Sequence, residues 1–260
     1  MDYLDTQIED GLARVRLNRT EKRNALSLAM MEELRDTALA LQRNVDVRAV
    51  VLYSVAMFSA GVDLSDAALT DQSASRLAQR ERLKLGPELC RVWEDIEAYT
   101  IAAIEGYCVG GASALACALD YRICGRSAFF RLPEVALGMN MSWHSIPRLV
   151  AQIGPARTKE YVIFGKRIDA ERALEWGLCE QVVDDGQAVA SAFAMAEEVL
   201  SLPPIAVRMV KESVNKTAYA LAQVSSYIDR DQYLLASQSE DFAEALAAFT
   251  EKRSPTFKGN

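Results

Sequence analysis

Glu134 is the residue whose surroundings point most directly to chemistry. It is the only acid in Phe130-Arg131-Leu132-Pro133-Glu134-Val135-Ala136-Leu137-Gly138. Burial among such neighbours lifts a carboxyl from about 4.3 toward neutrality, which suits a general acid or base. The same position is also that of a first-turn helix acid after Pro133, where the helix dipole favours negative charge. On these residues alone both readings stand.

Two further segments, Val50–Asp63 and Ile101–Leu119, run from an apolar strand pattern into a turn that contains glycine. The second continues into a helix of small residues beginning after Gly111. A helix start aims unpaired N–H groups and a partial positive charge back at its turn. Two such turns side by side supply a pair of donors for one oxygen, the arrangement of an oxyanion hole, where losing a donor costs about 3 kcal/mol. As ordinary strand-to-helix turns they need no ligand at all. Ser113 lies inside the small-residue helix, and Gly111-Ala112-Ser113-Ala114-Leu115 lacks the last glycine of a nucleophile elbow, so it reads as packed rather than reactive. Neither phosphate-loop pattern is present. His144, in Met139-Asn140-Met141-Ser142-Trp143-His144, is either part of a polar pocket wall or a hydrogen-bonded packing histidine.

Composition narrows the choices. The 260 residues are 50% hydrophobic and 25% charged, enough for one large domain or one domain plus a small appendage. A net charge of -7 argues against a protein that tracks nucleic-acid phosphates. One histidine leaves no mononuclear zinc pattern, so no metal is expected. The five cysteines are odd in number and lack a C-x-x-C pair, which predicts buried free thiols. No run of about 18 apolar residues occurs, and the acidic start Met1–Asp5 has no signal-peptide core. A cytoplasmic protein that neither spans nor binds a membrane is the expectation.

The elements that must position these residues follow from their patterning. Tyr3–Ile8 and Leu12–Leu17 flank Asp10-Gly11 as a hairpin. Leu28, Met31, Leu34, Ala38 and Leu41 recur at helical spacing behind Ser27 as N-cap. Strands are predicted at Val47–Ser54, Ile101–Glu105, Tyr121–Cys124 and Cys179–Val183, and a helix over Leu85–Tyr99. Ser65–Lys84 is polar and reads as a loosely held helix or a mobile segment. Arg148–Phe164 and Asp169–Gly177 are helical, the second capped by Asp169 and ended by Gly177. After Gly186 only helices recur, broken at Pro203-Pro204. Strands and helices alternate up to Gly186, so the expected division is an α/β core over 1–195 and a helical C-terminal region over 196–260.

Seven segments together resemble the crotonase superfamily, the enoyl-CoA hydratase/isomerase family. They are Asn18-Arg19 with Asn24-Ala25-Leu26, then Phe58–Leu64, Ile104–Ala116, Asp120-Tyr121-Arg122-Ile123, Pro133–Gly138, Ala170–Leu178 and Phe249–Lys258, in that order. The resemblance implies a spiral of ββα turns with a C-terminal helical trimerisation region. It implies a homotrimer, or a hexamer built as a dimer of trimers. The substrate it implies is an acyl-CoA thioester, with coenzyme A part of the substrate and no separate cofactor. By the same resemblance the N–H groups of Val62 and Gly111 hold the thioester oxygen, and Glu134 carries the proton. Lys22, Arg23, Ala60 and Asp63 fall on the CoA side, joined by Phe257 and Lys258 of a neighbouring subunit.

The departures shape the expected reaction. Hydratases of the family carry a second glutamate where this sequence has Ala114, and Met139–His144 stands where many have a glycine-rich stretch. One carboxylate suffices to move a proton between C2 and C4 of a 3-enoyl thioester, so a Δ3-Δ2-enoyl-CoA isomerase is the first expectation. The alternatives are a hydratase or lyase in which His144, Ser142 or Asn140 replaces the lost acid, and a CoA-thioester-binding protein without catalysis.

Overall fold

A computed structural model of the chain describes residues 3–70 and 73–260. Met1 and Asp2 of the acidic start, and residues 71 and 72 of the polar segment, lie outside the described residues. The chain begins with strands β1 (Leu4–Glu9) and β2 (Leu12–Leu17), paired antiparallel with Glu9 opposite Leu12. Asp10 and Gly11, at φ +48° and +85°, make the two-residue turn that matches the twist of a hairpin. Helix α1 (Leu28–Arg43) starts where the Ser27 hydroxyl accepts the Met30 N–H, and it buries Met30, Met31, Leu34, Ala38 and Leu41.

Four strands then add in parallel: β3 (Ala49–Tyr53), β4 (Tyr99–Ile104), β6 (Tyr121–Gly125) and β9 (Gln181–Val183). The sheet order is β1-β2-β3-β4-β6-β9. Side chains alternate across a strand, so β3 and β4 feed two cores, as parallel sheets covered on both faces require. Val50, Leu52, Ala102 and Ile104 pack with α1, α4 (Leu85–Glu94) and α5 (Gly111–Ala116). Ala49, Val51, Ile101 and Ala103 pack on Ala188, Ala192 and Ala196 of α8 (Ala188–Leu200). The 195/196 boundary expected from sequence therefore falls inside α8, a helix of the core. The chain turns away later, at Pro203-Pro204, where α9 (Pro204–Ala218) departs at 112° to α8.

A second sheet of three short strands is absent from the sequence reading. β5 (Tyr107–Val109) pairs in parallel with β7 (Phe129–Arg131), which pairs antiparallel with β8 (Ile168–Asp169). Between β3 and α4 the polar segment forms two short helices, α2 (Ala67–Thr70) and α3 (Arg76–Arg82). After β7, α6 (Ser145–Phe164) breaks at Gly154-Pro155, and α7 (Ala170–Trp176) begins at Asp169 and ends at Gly177, as expected. The tail adds α10 (Ala222–Ser226), α11 (Asp229–Ala236) and α12 (Glu240–Glu251). α11 reaches back to α3 through Arg80 and Asp231, 2.5 Å apart, and α12 packs on the 3-10 turn Val135–Leu137 beside Glu134. All five cysteines are free and buried. No single helix among the described residues is long and apolar enough to cross a membrane.

Candidate active site

The two glycine-bearing loops are zipped together. Ser59 donates its N–H to Tyr107 O at 2.8 Å and accepts from Val109 N at 3.2 Å. Leu26 holds the other edge of the first loop: its N–H reaches Gly61 O at 2.8 Å, and its carbonyl accepts from Asp63 N at 3.0 Å. Both bonds flank Val62, so the Val62 N–H points away from Leu26 and has no acceptor among the described residues. Gly111 is the first residue of α5, and its N–H is likewise unpaired, as the first N–H groups of a helix are. Both residues line a cavity of about 180 Å³.

The short second sheet delivers the acid. Gly110 donates to Arg131 O at 2.8 Å, which fixes β7 beside β5 and carries the chain through Leu132-Pro133 to Glu134. Gly110 adopts φ +56°, ψ -126°, a conformation open essentially to glycine. Its missing side chain leaves room for the carboxyl of Glu134. The Oε2 atom of Glu134 is buried and has no partner among the described residues. Burial raises its pKa to about 7, against the pull of its own backbone N–H and of Arg131. Glu134 thus stands before a 3-10 turn rather than in the first turn of an α-helix, and it can give or take a proton near neutrality.

Around it the wall is apolar and soft, with Met31, Leu85, Leu137, Met139 and Met141, and the indole of Trp143. Glu134 is the one carboxylate among the described lining residues. Position 114 presents a buried alanine. Ser113 is buried against Tyr161, its hydroxyl 2.9 Å from the Tyr161 hydroxyl, as a packed serine should be.

The enoyl-CoA hydratase/isomerase family model matches residues 7–260. The chain belongs to that family. It is 30% identical over 257 residues to a probable mitochondrial enoyl-CoA hydratase 2 of Arabidopsis thaliana, covering 97% of this chain and 83% of the relative. It is 29% identical to a 2,3-dehydroadipyl-CoA hydratase of Escherichia coli, covering 94% and 93%. Among solved structures, an enoyl-CoA hydratase/isomerase of Pseudoalteromonas atlantica superposes with a TM-score of 0.88 at 26% identity, covering 99% and 100% of the two chains. The mixed α/β architecture is thus that of the crotonase fold, and the protein is an enoyl-CoA hydratase/isomerase family enzyme acting on acyl-CoA thioesters.

Of the residues expected in the family's site, Glu134, Val62, Gly111, Ala60, Asn140 and Ser142 meet at the cavity. His144 does not line it. Trp143 and His144 both have positive φ, +66° and +54°, and the reversal puts the indole rather than the imidazole at the wall. Burial, with Arg148 and Arg91 nearby, lowers the His144 pKa to about 4, so it is neutral at pH 7. Asp63 is a brace rather than a lining residue: it is buried, 2.7 Å from Arg19, and accepts from Ser65 N and Oγ. Burial opposes its charge, yet the hydrogen bonds from Ser65 and Arg19 hold its pKa below the usual value.

Lys22 and Arg23 are exposed, and Arg23 O accepts the Ala60 N–H at 3.0 Å, which seats both cations beside the first loop. Phe257 and Lys258 are exposed and do not reach this chain's cavity, and Lys258 N donates to Asp241 of α12 at 2.7 Å. Sequence reasoning missed Tyr233 of α11, which lines the cavity and whose phenol burial pushes up in pKa. Nothing in the periodicity of the tail marks it, because its place depends on α11 folding back over the site.

Proposed function

We propose that this enzyme is a Δ3-Δ2-enoyl-CoA isomerase. The observation that carries the reading is that Glu134 is the single carboxylate among the described residues lining the cavity, with a buried alanine at position 114. Glu134 takes a proton from C2 of a 3-enoyl thioester. The electron pair spreads over the thioester as a dienolate, whose oxygen the N–H groups of Val62 and Gly111 hold. Glu134 returns the proton at C4, and the double bond lies between C2 and C3. The carboxyl's pKa of about 7 matches both halves of the step. Lys22 and Arg23, with Phe257 and Lys258 of a neighbouring subunit, serve the coenzyme A portion in this reading.

A hydratase is the second reading, favoured by the names of the similar proteins, which include a crotonyl-CoA hydratase of Syntrophomonas wolfei, 30% identical. Ser142 and Asn140 line the cavity and would have to place the water. The test is an acyl-CoA panel in heavy water. Transfer of a 3-enoyl to a 2-enoyl thioester without a 3-hydroxy product supports isomerisation. Hydration as the principal reaction overturns it, and binding without turnover or exchange at C2 makes the chain a CoA-thioester binder.

The assembly proposed is a trimer or a dimer of trimers. It is supported by the apolar residues that α9 leaves exposed, Ile205, Met209, Val210 and Val214, and by Leu221, Leu235 and Phe249 beyond it. A groove of about 760 Å³ runs between α8 and α9 on the same side.

A further inference from the structure

The indole of Trp143 is clamped between two glycines. A Cβ on Gly111 would stand 2.6 to 2.8 Å from Cη2, Cζ2 and Cζ3, and one on Gly86 would collide with Nε1, Cε2 and Cδ1. The six-membered ring therefore lies against the start of α5 and the five-membered ring against α4. No side chain at either position leaves the ring in place. Residues three apart share a helix face, so Ala114 faces the same side of α5 as Gly111. The ring roofs the face on which a glutamate at position 114 would stand.

The backbone that holds the ring is costly and heavily tied. Two consecutive non-glycine residues at positive φ are unfavourable and persist only where their surroundings over-determine them. Here the ties are visible. Arg148 Nη1 donates to Trp143 O at 3.2 Å and His144 O at 3.0 Å, and its Nε reaches Glu94 at 2.5 Å. Asp229 Oδ2 accepts the His144 N–H at 2.9 Å. Across the adjacent glycines Gly110 and Gly111 the acid and the ring are neighbours: Glu134 sits against Gly110, Trp143 against Gly111.

We infer that Trp143 is the residue that sets the reaction outcome at this site. Its indole fills the space beside the Gly111 N–H that a nucleophilic water and a second acid would share. The proton that leaves C2 onto Glu134 is thereby delivered to C4, and no water oxygen adds at C3. This rests on the isomerase reading of the same cavity and names the group that enforces it. In hydration, by contrast, water supplies a hydroxyl to C3 and a proton to C2, so both water and a group to position it must enter.

The test is proton bookkeeping in heavy water, with native enzyme, Trp143→Ala and Trp143→Phe, each checked for coenzyme A binding. With a 3-enoyl thioester, native enzyme should carry most of the substrate's proton into the product. Trp143→Ala should raise deuterium incorporation per turnover several-fold, with Trp143→Phe between them. A loss of packing alone would slow turnover without changing this partition. The double variant Ala114→Glu/Trp143→Gly should hydrate a 2-enoyl thioester at least ten-fold faster than Ala114→Glu. Equal deuterium incorporation by native enzyme and Trp143→Ala overturns the inference while leaving the isomerase reading intact. Efficient hydration by native enzyme overturns both. A native enzyme that fails to isomerise, while Trp143→Ala accelerates exchange at C2 of a saturated thioester, overturns the isomerase reading and supports the shielding role.

Discussion

A side-chain carbon on Gly110 would stand 2.9 Å from Oε1 of Glu134. The acid is thus held in the gap left by a glycine on the loop that leads into the unpaired Gly111 N–H. Gly110→Ala should cost about 1–3 kcal/mol for the forbidden backbone conformation. It should also push the carboxyl away and lower turnover at least ten-fold. Denaturant midpoints and turnover of 3-enoyl-CoA check the two effects separately.

The pKa of Glu134, about 7 through burial, fixes two pH dependences of opposite sense. As a base it must be ionised, so kcat/KM should rise with pH and level off above about 7. Its contribution to stability runs the other way. The folded state holds the proton more tightly than the unfolded chain, so stability is full below about 4.5 and is lost as pH rises through 7. Glu134→Gln should remove that decline in a pH series of melting temperatures. It should also lower isomerisation by about 100- to 10,000-fold with coenzyme A binding retained.

Asp229 links the C-terminal helices to the loop of Trp143 through the His144 N–H. Asp229→Ala leaves a donor unpaired and should cost about 1–3 kcal/mol. Asp229→Asn keeps an acceptor and should cost less. Burial raises the Asp229 carboxyl to about 6, so the native protein should lose stability between about pH 4 and 6. The Asn variant should not show this loss, and thermal melts across that range provide the check.

Much of this was readable from residue types. The Asp10-Gly11 hairpin, the Ser27 and Asp169 caps and the Gly177 stop each depend on a few adjacent residues, and all are present. Glu134 was legible for the same reason, its apolar neighbours being adjacent in sequence. The strands β5, β7 and β8 were not, since runs of two or three residues carry no alternation to read. The bracing role of Asp63 was not legible, because its partner Arg19 lies 44 residues away. Which of the two readings of His144 holds was not legible, because two positive φ values, which its neighbours do not announce, put the indole rather than the imidazole at the wall.

Arg122 is buried at the far end of α5, where it donates to Leu119 O at 2.8 Å, Ala116 O at 3.3 Å and Leu178 O at 2.9 Å and pairs with Glu180. Arg122→Met removes the buried partner of an ion pair with the half-buried Glu180 and takes the donor from Leu119 O and Leu178 O, while Ala116 O keeps the Leu119 N–H. A loss of about 3–5 kcal/mol is expected, read by chemical denaturation.

The exposed face of α9 gives the assembly its own test. Light scattering of native enzyme should report a trimer or hexamer. Val210→Glu together with Val214→Glu should shift it toward monomer, since charge on an apolar face that the proposed assembly covers is costly. A native monomer at micromolar concentration would contradict the assembly.

The five buried cysteines give this fold a chemical clock. Burial pushes the thiol of Cys90 up to about 12 and that of Cys117 to about 11, so neither is a thiolate while the chain is closed. An alkylating reagent can therefore modify them only during excursions in which the sheet and α4 come apart. Peptides around Cys90, Cys108, Cys117, Cys124 and Cys179 would record how often each layer opens, without any engineered probe.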